Sequence, residues 1–205
     1  MCIRDSVSDA TGNAAAQVTS SSFTVDTTAP SINAIATSAL SWGDVLNATE
    51  DNADGTVTVT TVGVEDGQTL TITLNSATYT ASVSSNSATV TITASGLQAL
   101  TSGQTYTLTA DVSDAAGNAA TQVTSSSFTV DTTAPSINAI GTGALSWGDI
   151  LNATEDNSDG TVTVTTVGVE DGQAVTITLN SATYTANVSS NSATVTITAS
   201  GLQAL

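Results

Sequence analysis

The sequence predicts an all-β protein made of tandem antiparallel sandwiches, and three observations lead to this fold class. A stretch of 105 residues recurs along the chain with few changes. Inside each repeat, apolar and polar residues alternate over short runs, which is the pattern of strands with one buried face. Thr, Ser, Ala and Val dominate the composition, and the branched side chains of Thr and Val favour an extended backbone.

The repeat sets the domain organisation. VSDATGN at Val7 returns as VSDAAGN at Val112, and the two copies stay in register to the last residue, with nine differences over 94 aligned positions. We therefore expect residues 7–29 to end one module, residues 30–134 to form a complete module and residues 135–205 to begin another. A unit of this length is close to the size of an immunoglobulin-type sandwich.

The first six residues, MCIRDS, do not fit the repeat. By the period they should match YTLTAD at 106–111, yet the two segments share no residue in register, and identity begins at Val7. MCIRDS is typical of a translated sequencing-library adapter, so we interpret residues 1–6 as a processing scar. Because they include the only Met, the only Cys and the only basic side chain, the remaining sequence has none of these, and it has no His.

Alternation predicts seven strands in the complete module, and hence immunoglobulin-like, seven-stranded antiparallel β-sandwich modules in tandem. The predicted strands are A (31–35), B (56–64), C (69–74), D (78–83), E (88–93), F (104–112) and G (123–130). In strand B the valines change parity between Val59 and Val62, which predicts a β-bulge near Thr60 and Thr61.

Three further features of the module carry structural expectations. The segment between strands E and F predicts one helical turn with Leu97 and Leu100 facing the core, and Tyr106 stands where such sandwiches place a tyrosine corner. Trp42 is interpreted either as a cap on one end of the core or as a platform that stacks against carbohydrate. We interpret the rows of Thr and Ser on the outer faces as residues that favour strands and keep the protein soluble. The alternative is that they form an array that binds ice or sugar.

The charge balance excludes several classes of function. Of the 18 acidic residues, all but Asp5 follow Ser6, where no basic residue occurs, and the net charge of the whole chain is −17. Such a polyanion binds neither nucleic acid, which requires Lys and Arg to displace counterions from phosphates, nor an anionic membrane surface, and we expect no membrane insertion. Without Cys and His there is no disulfide framework, no zinc site of the usual kind and no thiol or imidazole catalysis.

Catalysis by paired carboxylates, as in glycosidases, is not expected either. Glu65 and Asp66 are adjacent in a tight turn, so their side chains should diverge, and the pattern suggests no cleft between them. We therefore predict that the chain is not an enzyme.

The acidic residues of the complete module all fall in loops at its two ends. Because successive antiparallel strands reverse direction, the A–B, C–D and E–F loops share one end with the exit of strand G, and the B–C, D–E and F–G loops share the other end with the entry to strand A. We call these the exit end and the entry end. The exit end holds Asp44, Glu50, Asp51, Asp54 and Asp131, and the entry end holds Glu65, Asp66, Asp111 and Asp114.

Modules in a string bring the exit end of one to the entry end of the next, which predicts a cation site at each joint. The first joint combines Asp26 with Glu65, Asp66, Asp111 and Asp114, and the second combines the exit-end set with Glu170 and Asp171. Two carboxylates about 4 Å apart repel by about 1 kcal/mol even in water, and no basic side chain neutralises them. Ca²⁺, which takes about six to eight oxygen ligands, would do so, with the side-chain oxygen of Asn118 as an additional ligand. The alternative is that these acids are solvated turn residues.

The combination of VSDAAGN, FTVDTTAP, GDVLNATE and VGVEDGQTLTITLN resembles the bacterial immunoglobulin-like repeats of giant adhesins exported by type I secretion. The resemblance covers everything after Ser6. It implies an extracellular or cell-surface location, attachment to surfaces or biofilm matrix, and calcium at the module joints. The calcium positions that it carries over are Asp9, Asp114 and Asn118 from the SDxxGN pattern, and Asp26 and Asp131 from the VDTTAP linker. Trp42 departs from the family pattern.

The near identity of neighbouring modules favours a structural extender, or stalk, because a spacer needs only number and uniform joints. Strands of about ten residues at roughly 3.3 Å each give a module about 35 to 40 Å long. The resemblance adds that such a stalk holds a distal binding domain away from the cell. The expected partners are neighbouring repeats of the same chain, and surface or matrix polysaccharide through domains outside this sequence. The alternatives are a module that binds polysaccharide or ice, and a spacer in another secreted protein.

Overall fold

The computed structural model describes residues 2–205, so that Met1 of the predicted adapter segment lies outside the described residues. The chain divides between Asp131 and Thr132 into two compact units. Unit 1 denotes the described residues up to Asp131, and unit 2 denotes Thr132–Leu205. The predicted module boundaries themselves stay a prediction.

Unit 1 is built from short strands and one helical turn. Its elements are β1 (Ser31–Ile32), β2 (Val45–Asn47), β3 (Gly55–Val62), β4 (Thr69–Leu74), β5 (Ala77–Ser82), β6 (Ser87–Ile92), α1 (Ala94–Gln98), β7 (Thr105–Tyr106), β8 (Leu108–Asp111), β9 (Val123–Thr124) and β10 (Phe128–Asp131). Short 3-10 turns cover Thr37–Ala39 and Glu50–Asn52. These elements confirm the predicted all-β class, and strands B to E lie within one residue or two of their predicted limits.

The strands of unit 1 pair in three hydrogen-bonded sheets, with the orders β1-β3-β6, β5-β4-β8-β9 and β2-β10-β7. All pairs are antiparallel except that β10 runs parallel to β2. The predicted strand D is β5, and it pairs with β4 in the register Leu74↔Ala77. The turn between them is formed by Asn75 and Ser76, both with positive φ, as a two-residue hairpin of the mirror-image type requires.

One apolar core fills unit 1, and alternation along the strands produces it. In β4, Leu70, Ile72 and Leu74 are buried while the intervening Thr residues lie outside. Trp42 is buried in the same core and meets Phe128 edge to face, with ring centroids 5.4 Å apart. The interpretation of Trp42 as a core residue is therefore confirmed, and a stacking platform at this residue is wrong because no ring face is open to solvent.

Two smaller expectations for the core are also confirmed. Leu97 in α1 and Leu100 just after it are both buried, as the helical turn predicted. The hydroxyl of Tyr106 accepts a hydrogen bond from the main-chain N–H of Thr101 at 3.0 Å, which is the tyrosine-corner arrangement.

The predicted bulge near Thr60 and Thr61 is wrong. β3 pairs with β6 as far as Thr60 and continues against β1 without a change of phase, so Thr61 is buried and Val62 is exposed. The change of parity comes after the strand. Gly63 has a φ of +76°, in the left-handed region that favours glycine, and the chain then returns Val64 to the core.

The sequence also missed β2 and overestimated the length of three strands. Strand A is reduced to β1, and the predicted strands F and G are each interrupted, as β7 with β8 and β9 with β10. The interruptions arise because the chain changes sheets. β8 pairs with β9 in one sheet, whereas β10 pairs with β2 on one side and with β7 on the other in a second sheet.

Unit 2 repeats the first part of this pattern. Its elements are β11 (Ser136–Ile137), β12 (Gly160–Val167), β13 (Ala174–Leu179), β14 (Ala182–Asn187), β15 (Ser192–Ile197) and α2 (Ala199–Leu202), with 3-10 turns at Thr142–Ala144 and Glu155–Asn157. The strands form the sheets β11-β12-β15 and β13-β14. Every helix within residues 2–205 is far too short to cross a membrane.

Candidate metal-binding loops

The loop from Asp114 to Asn118 is the best organised acidic feature of the entry end. It is closed by the pairing of Ser113 with Ala119, and a tight turn inside it lets Gly117 donate its N–H to the main-chain oxygen of Asp114 at 3.1 Å. Gly117 has a φ of +92°, which requires glycine at this point. The loop wraps around the Asp114 carboxylate, which is buried although it is charged.

Asn118 supplies the partners of that carboxylate. Its main-chain N–H donates to Oδ1 of Asp114 at 2.7 Å, and its side-chain amide donates to Oδ2 at 2.8 Å. The hydrogen bond from the Asn118 side chain lowers the pKa of Asp114 below its ordinary value, against an opposing effect of burial. Asp114 is therefore ionised at neutral pH.

Two other predicted residues reach the same loop. The side-chain amide of Asn118 also donates to the main-chain oxygen of Asp26 at 3.3 Å, and Oε2 of Glu65 accepts the N–H of Ala115 at 2.9 Å. The carboxylate of Asp26 itself accepts the N–H of Thr28 at 3.0 Å. The structure thus brings the linker, the B–C turn and the F–G loop together, as the sharing of one end predicted.

The remaining two acids of the entry end have separate partners. Asp66 accepts the N–H of Ser85 at 2.7 Å, in the neighbouring D–E turn. Both carboxylate oxygens of Asp111 accept from the side-chain amide of Gln122, at 3.0 and 2.8 Å. These two carboxylates are therefore held in place by contacts outside the Asp114 loop.

Asp9 forms the same loop 105 residues earlier. Its Oδ1 accepts the main-chain N–H of Thr11 and of Asn13, at 3.0 and 2.9 Å, and its Oδ2 accepts the Asn13 side-chain amide at 2.9 Å. These hydrogen bonds, that of the Asn13 side chain first, lower the pKa of Asp9 well below its ordinary value. Unlike Asp114, Asp9 is exposed.

At the exit end, Asp44, Glu50 and Asp54 each have a different partner. Glu50 accepts the N–H of Asn47 at 3.1 Å, and Asp54 accepts the N–H of Ala94 at 2.8 Å where α1 begins. The main-chain oxygen of Asp44 accepts the N–H of Thr129 at 2.9 Å. Of the other two, Asp51 lies in the 3-10 turn after Glu50, and Asp131 ends β10.

In unit 2, Asp171 repeats the contact of Asp66, with the N–H of Ser190 at 2.7 Å from its Oδ1. Glu170 accepts the N–H of Gln173 through its main-chain oxygen at 3.3 Å. Across residues 2–205, no three acidic, His or Cys side chains come together as a ready-made cation site.

Sequence reasoning missed the main-chain groups of the entry end. The main-chain oxygen of Asp26 and the N–H of Ala115 connect the loops, whereas the sequence predicts only side-chain groups there, the carboxylates and the side-chain oxygen of Asn118. The alternation of loops between the two ends predicts that the B–C and F–G loops lie close together. It does not predict a hydrogen bond to a main-chain atom 92 residues away, because such an atom is the same in every residue.

Comparisons with known proteins identify relatives among solved structures. One is a Ca²⁺-stabilized adhesin that helps an Antarctic bacterium reach out and bind ice; it is 32% identical, with a TM-score of 0.53, over 99% of this chain and 49% of the relative. A second is a 1.5-MDa bacterial ice-binding adhesin, 28% identical with a TM-score of 0.51, over 99% of this chain and 64% of the relative.

A third relative is a bacterial immunoglobulin-like domain from the M. primoryensis ice-binding adhesin. It is 33% identical, with a TM-score of 0.35, over 50% of this chain and 95% of that domain. No protein-family model and no curated protein matches the chain. The chain spans about half of the length of the first relative and about two thirds of the length of the second.

Proposed function

Because the chain belongs to the bacterial immunoglobulin-like repeats of large adhesins, we propose that it is a stretch of extender modules in an extracellular or cell-surface adhesin. The modules hold a distal binding domain away from the cell, and each contacts neighbouring repeats of the same chain. Both relatives with a TM-score above 0.5 are adhesins, which supports a structural role for the present chain.

The observation that carries the proposal is the uniformity of the repeat. Only nine of 94 aligned positions differ, and the differences are mostly small. The loop geometry repeats with the sequence, since Asp66 and Asp171 each accept the N–H of the matching Ser at 2.7 Å. Such uniformity suits a spacer, in which the number of modules determines the length.

Calcium at the entry end is the second part of the proposal, and the donor set fits that ion. Asp114 and Glu65 supply carboxylates to one loop, and Asp26 adds its main-chain oxygen from the linker. Because Asn118 uses its amide N–H groups on Asp114 and on the main chain of Asp26, its Oδ1 is left for a cation. Hard oxygen donors of mixed type are the ligands that Ca²⁺ takes in proteins.

The bound ion would offset the repulsion of these carboxylates and tie the linker to the loops, which stiffens the joint. Asp66 and Asp111 lie at the same end and could add outer ligands. Asp9 would serve the corresponding loop of the preceding module. The exit-end acids with Glu170 and Asp171 are the proposed set for the second joint.

Melting experiments on the 205-residue chain test the calcium proposal. At a Ca²⁺ concentration about 100-fold above Kd, the transition of unit 1 should rise by roughly 10 °C relative to EGTA. Asp114→Asn should reduce this rise by the contribution of the entry-end ion. Asp159→Asn, which removes the same charge in unit 2 outside the proposed sites, should retain the full rise.

Small-angle scattering on the same samples tests the extender role, since calcium should increase the maximum dimension of the particle. Identical melting temperatures and identical scattering in Ca²⁺ and in EGTA would show that the acids are turn residues only.

A further inference from the structure

β5 is the outer strand of the sheet β5-β4-β8-β9, and one side of it is open. It lies in the middle of the complete repeat, with the other three strands of its sheet in place, so this open side belongs to the finished sheet. Just after β5, Val83 donates its N–H to the main-chain oxygen of Gln68 at 2.8 Å, on the β4 side. Main-chain groups alternate between the two sides of a strand, so those of Thr78, Thr80 and Ser82 face outward. Within residues 2–205, no hydrogen bond reaches this outward row.

β5 carries none of the features that protect an edge strand from pairing with another chain. Its sequence, ATYTAS, contains no charged residue and no proline, and its six residues make it as long as β4. The register with β4 runs from Leu74↔Ala77 to Thr69↔Ser82 without a bulge. The exposed side chains of the strand are Ala, Thr and Ser, which leave room for a second backbone.

The distribution of charge favours a second copy of this chain as the partner of that edge. Residues 67–110 contain no acidic and no basic residue, although the whole chain has a net charge of −17. The acids of the complete module lie in loops at its two ends, and those ends of two copies repel each other. Two copies that approach edge to edge along β5 bring no like charges together within the paired strands.

We propose that β5 of one copy pairs antiparallel with β5 of a second copy, about a two-fold axis at Thr80. The outward groups of Thr78 then bond to those of Ser82 in the second copy, and the two Thr80 residues bond to each other. This register gives about six main-chain hydrogen bonds, because an antiparallel ladder exchanges two bonds within alternate residue pairs. The edge is thus its own complement, and the contact is isologous.

The repeat presents the same edge a second time. β14 differs from β5 only in having Asn187 where β5 has Ser82, and it pairs with β13 in the equivalent register. A single pair of edges is a small contact, but pairs at successive modules act together and raise the overall affinity. Antiparallel pairing opposes the directions of the two chains, so in extenders it would join stalks that come from facing surfaces. That consequence rests on the proposed function, whereas the pairing itself does not.

Sedimentation equilibrium of the full chain over a concentration series tests the proposal. The measurement belongs in about 0.5 M salt, where the Debye length is only a few ångströms and repulsion between copies is screened. The wild-type chain should form dimers and larger species. Thr80→Pro combined with Thr185→Pro should abolish this association. Both prolines replace outward N–H groups, so the hydrogen bonds of β5 to β4 and of β14 to β13 remain, and circular dichroism should show an intact fold.

The other long edge of the sandwich provides the matched control. Thr91→Pro combined with Thr196→Pro places the same substitution on the outward side of β6 and β15, at exposed threonines. This variant should associate like wild type. If it is monomeric while the β5 and β14 variant associates, the proposed edge is the wrong one.

Cross-linking tests the register. Thr80→Cys is made in a Cys2→Ser background, which removes the only cysteine of the chain. At the two-fold axis the two Cα atoms would lie about 5.5 Å apart, within the range that a disulfide spans. Mild oxidation at micromolar concentration should therefore give a covalent dimer, whereas Thr91→Cys in the same background should remain monomeric.

Three results would overturn the proposal. The first is a wild-type chain that stays monomeric at millimolar concentration. The second is association that survives the combined Thr80→Pro and Thr185→Pro substitutions. The third is a Thr80→Cys chain that dimerises no faster than the Thr91→Cys chain. None of these results bears on melting or scattering in Ca²⁺, so the calcium and extender proposals are judged by their own measurements.

Discussion

The side-chain amide of Asn118 lies 2.8 Å from Oδ2 of Asp114, while the main-chain N–H of the same asparagine lies 2.7 Å from Oδ1. One residue thus satisfies both oxygens of a buried carboxylate without a positive charge. The arrangement explains how a sequence with no basic side chain after Ser6 keeps an ionised Asp inside a loop.

The first prediction concerns the titration of this carboxylate. Because the folded pKa of Asp114 lies below the unfolded value, its contribution to stability is present above the unfolded pKa and is lost as the pH falls through the folded pKa. Asn118→Ala removes the side-chain hydrogen bond that lowers the pKa of Asp114 most, so this pKa should rise, as followed by carboxyl ¹³C NMR. Gln98→Ala, which removes an amide hydrogen bond to Asn52 and touches no carboxylate, should leave the Asp114 titration unchanged. An unshifted Asp114 in the Asn118→Ala variant would contradict the assignment.

Whether the sequence predicts a strand depends on how far along the chain the strand that pairs with it lies. β4 was predicted to the residue because its alternating Leu and Ile side chains are a local signal. β2 was not predicted, because it has three residues and pairs only with β10, which is distant in sequence.

In the candidate calcium site as well, the contact within one loop is predictable from the sequence and the contact with a distant residue is not. The Asp114–Asn118 contact lies within one loop, and the recurring SDxxGN pattern pointed to it. The contact of Asn118 with the main chain of Asp26 depends on how the linker returns to the loop, and it uses an atom that every residue possesses. A pattern of side chains therefore carries no information about it.

The second prediction concerns the tyrosine corner. Tyr106→Phe removes the acceptor of the Thr101 N–H and should lower the free energy of unfolding of unit 1 by about 0.5–1.5 kcal/mol, measured by urea denaturation. Tyr79→Phe is the matched control, because within residues 2–205 no hydrogen bond to the Tyr79 hydroxyl occurs, and it should cost less. Equal losses in the two variants would indicate that the corner bond contributes nothing.

The third prediction concerns Gly55, which sits at the start of β3 beneath the indole ring of Trp42. A Cβ at this position would lie 2.6 Å from a ring carbon of Trp42 and 3.1 Å from a methyl carbon of Leu97. Gly55→Ala should therefore destabilise unit 1 by about 1–3 kcal/mol through overpacking.

Gly141→Ala is the control for this substitution, since nothing lies within 4 Å of its added Cβ and the equivalent residue in unit 1 is Ala36. It should leave stability unchanged or raise it slightly. Thermal unfolding monitored by circular dichroism distinguishes the two, and a Gly55→Ala protein as stable as wild type would show that the Trp42 ring can shift.

The fourth prediction compares Leu46 with its repeat equivalent Leu151. Leu46 is fully buried in β2 beside β10, whereas Leu151 is only partly buried because no strand of residues 132–205 covers it. Leu46→Ala should cost about 2–5 kcal/mol, as expected for a buried leucine, and Leu151→Ala should cost clearly less. Each unit has one Trp, so a Trp147→Phe background reports on unit 1 and a Trp42→Phe background on unit 2, by fluorescence during urea denaturation.

Both variants are measured at the same low micromolar protein concentration. Equal losses for the two leucines in dilute solution would contradict the view that β10 is what completes the core around Leu46.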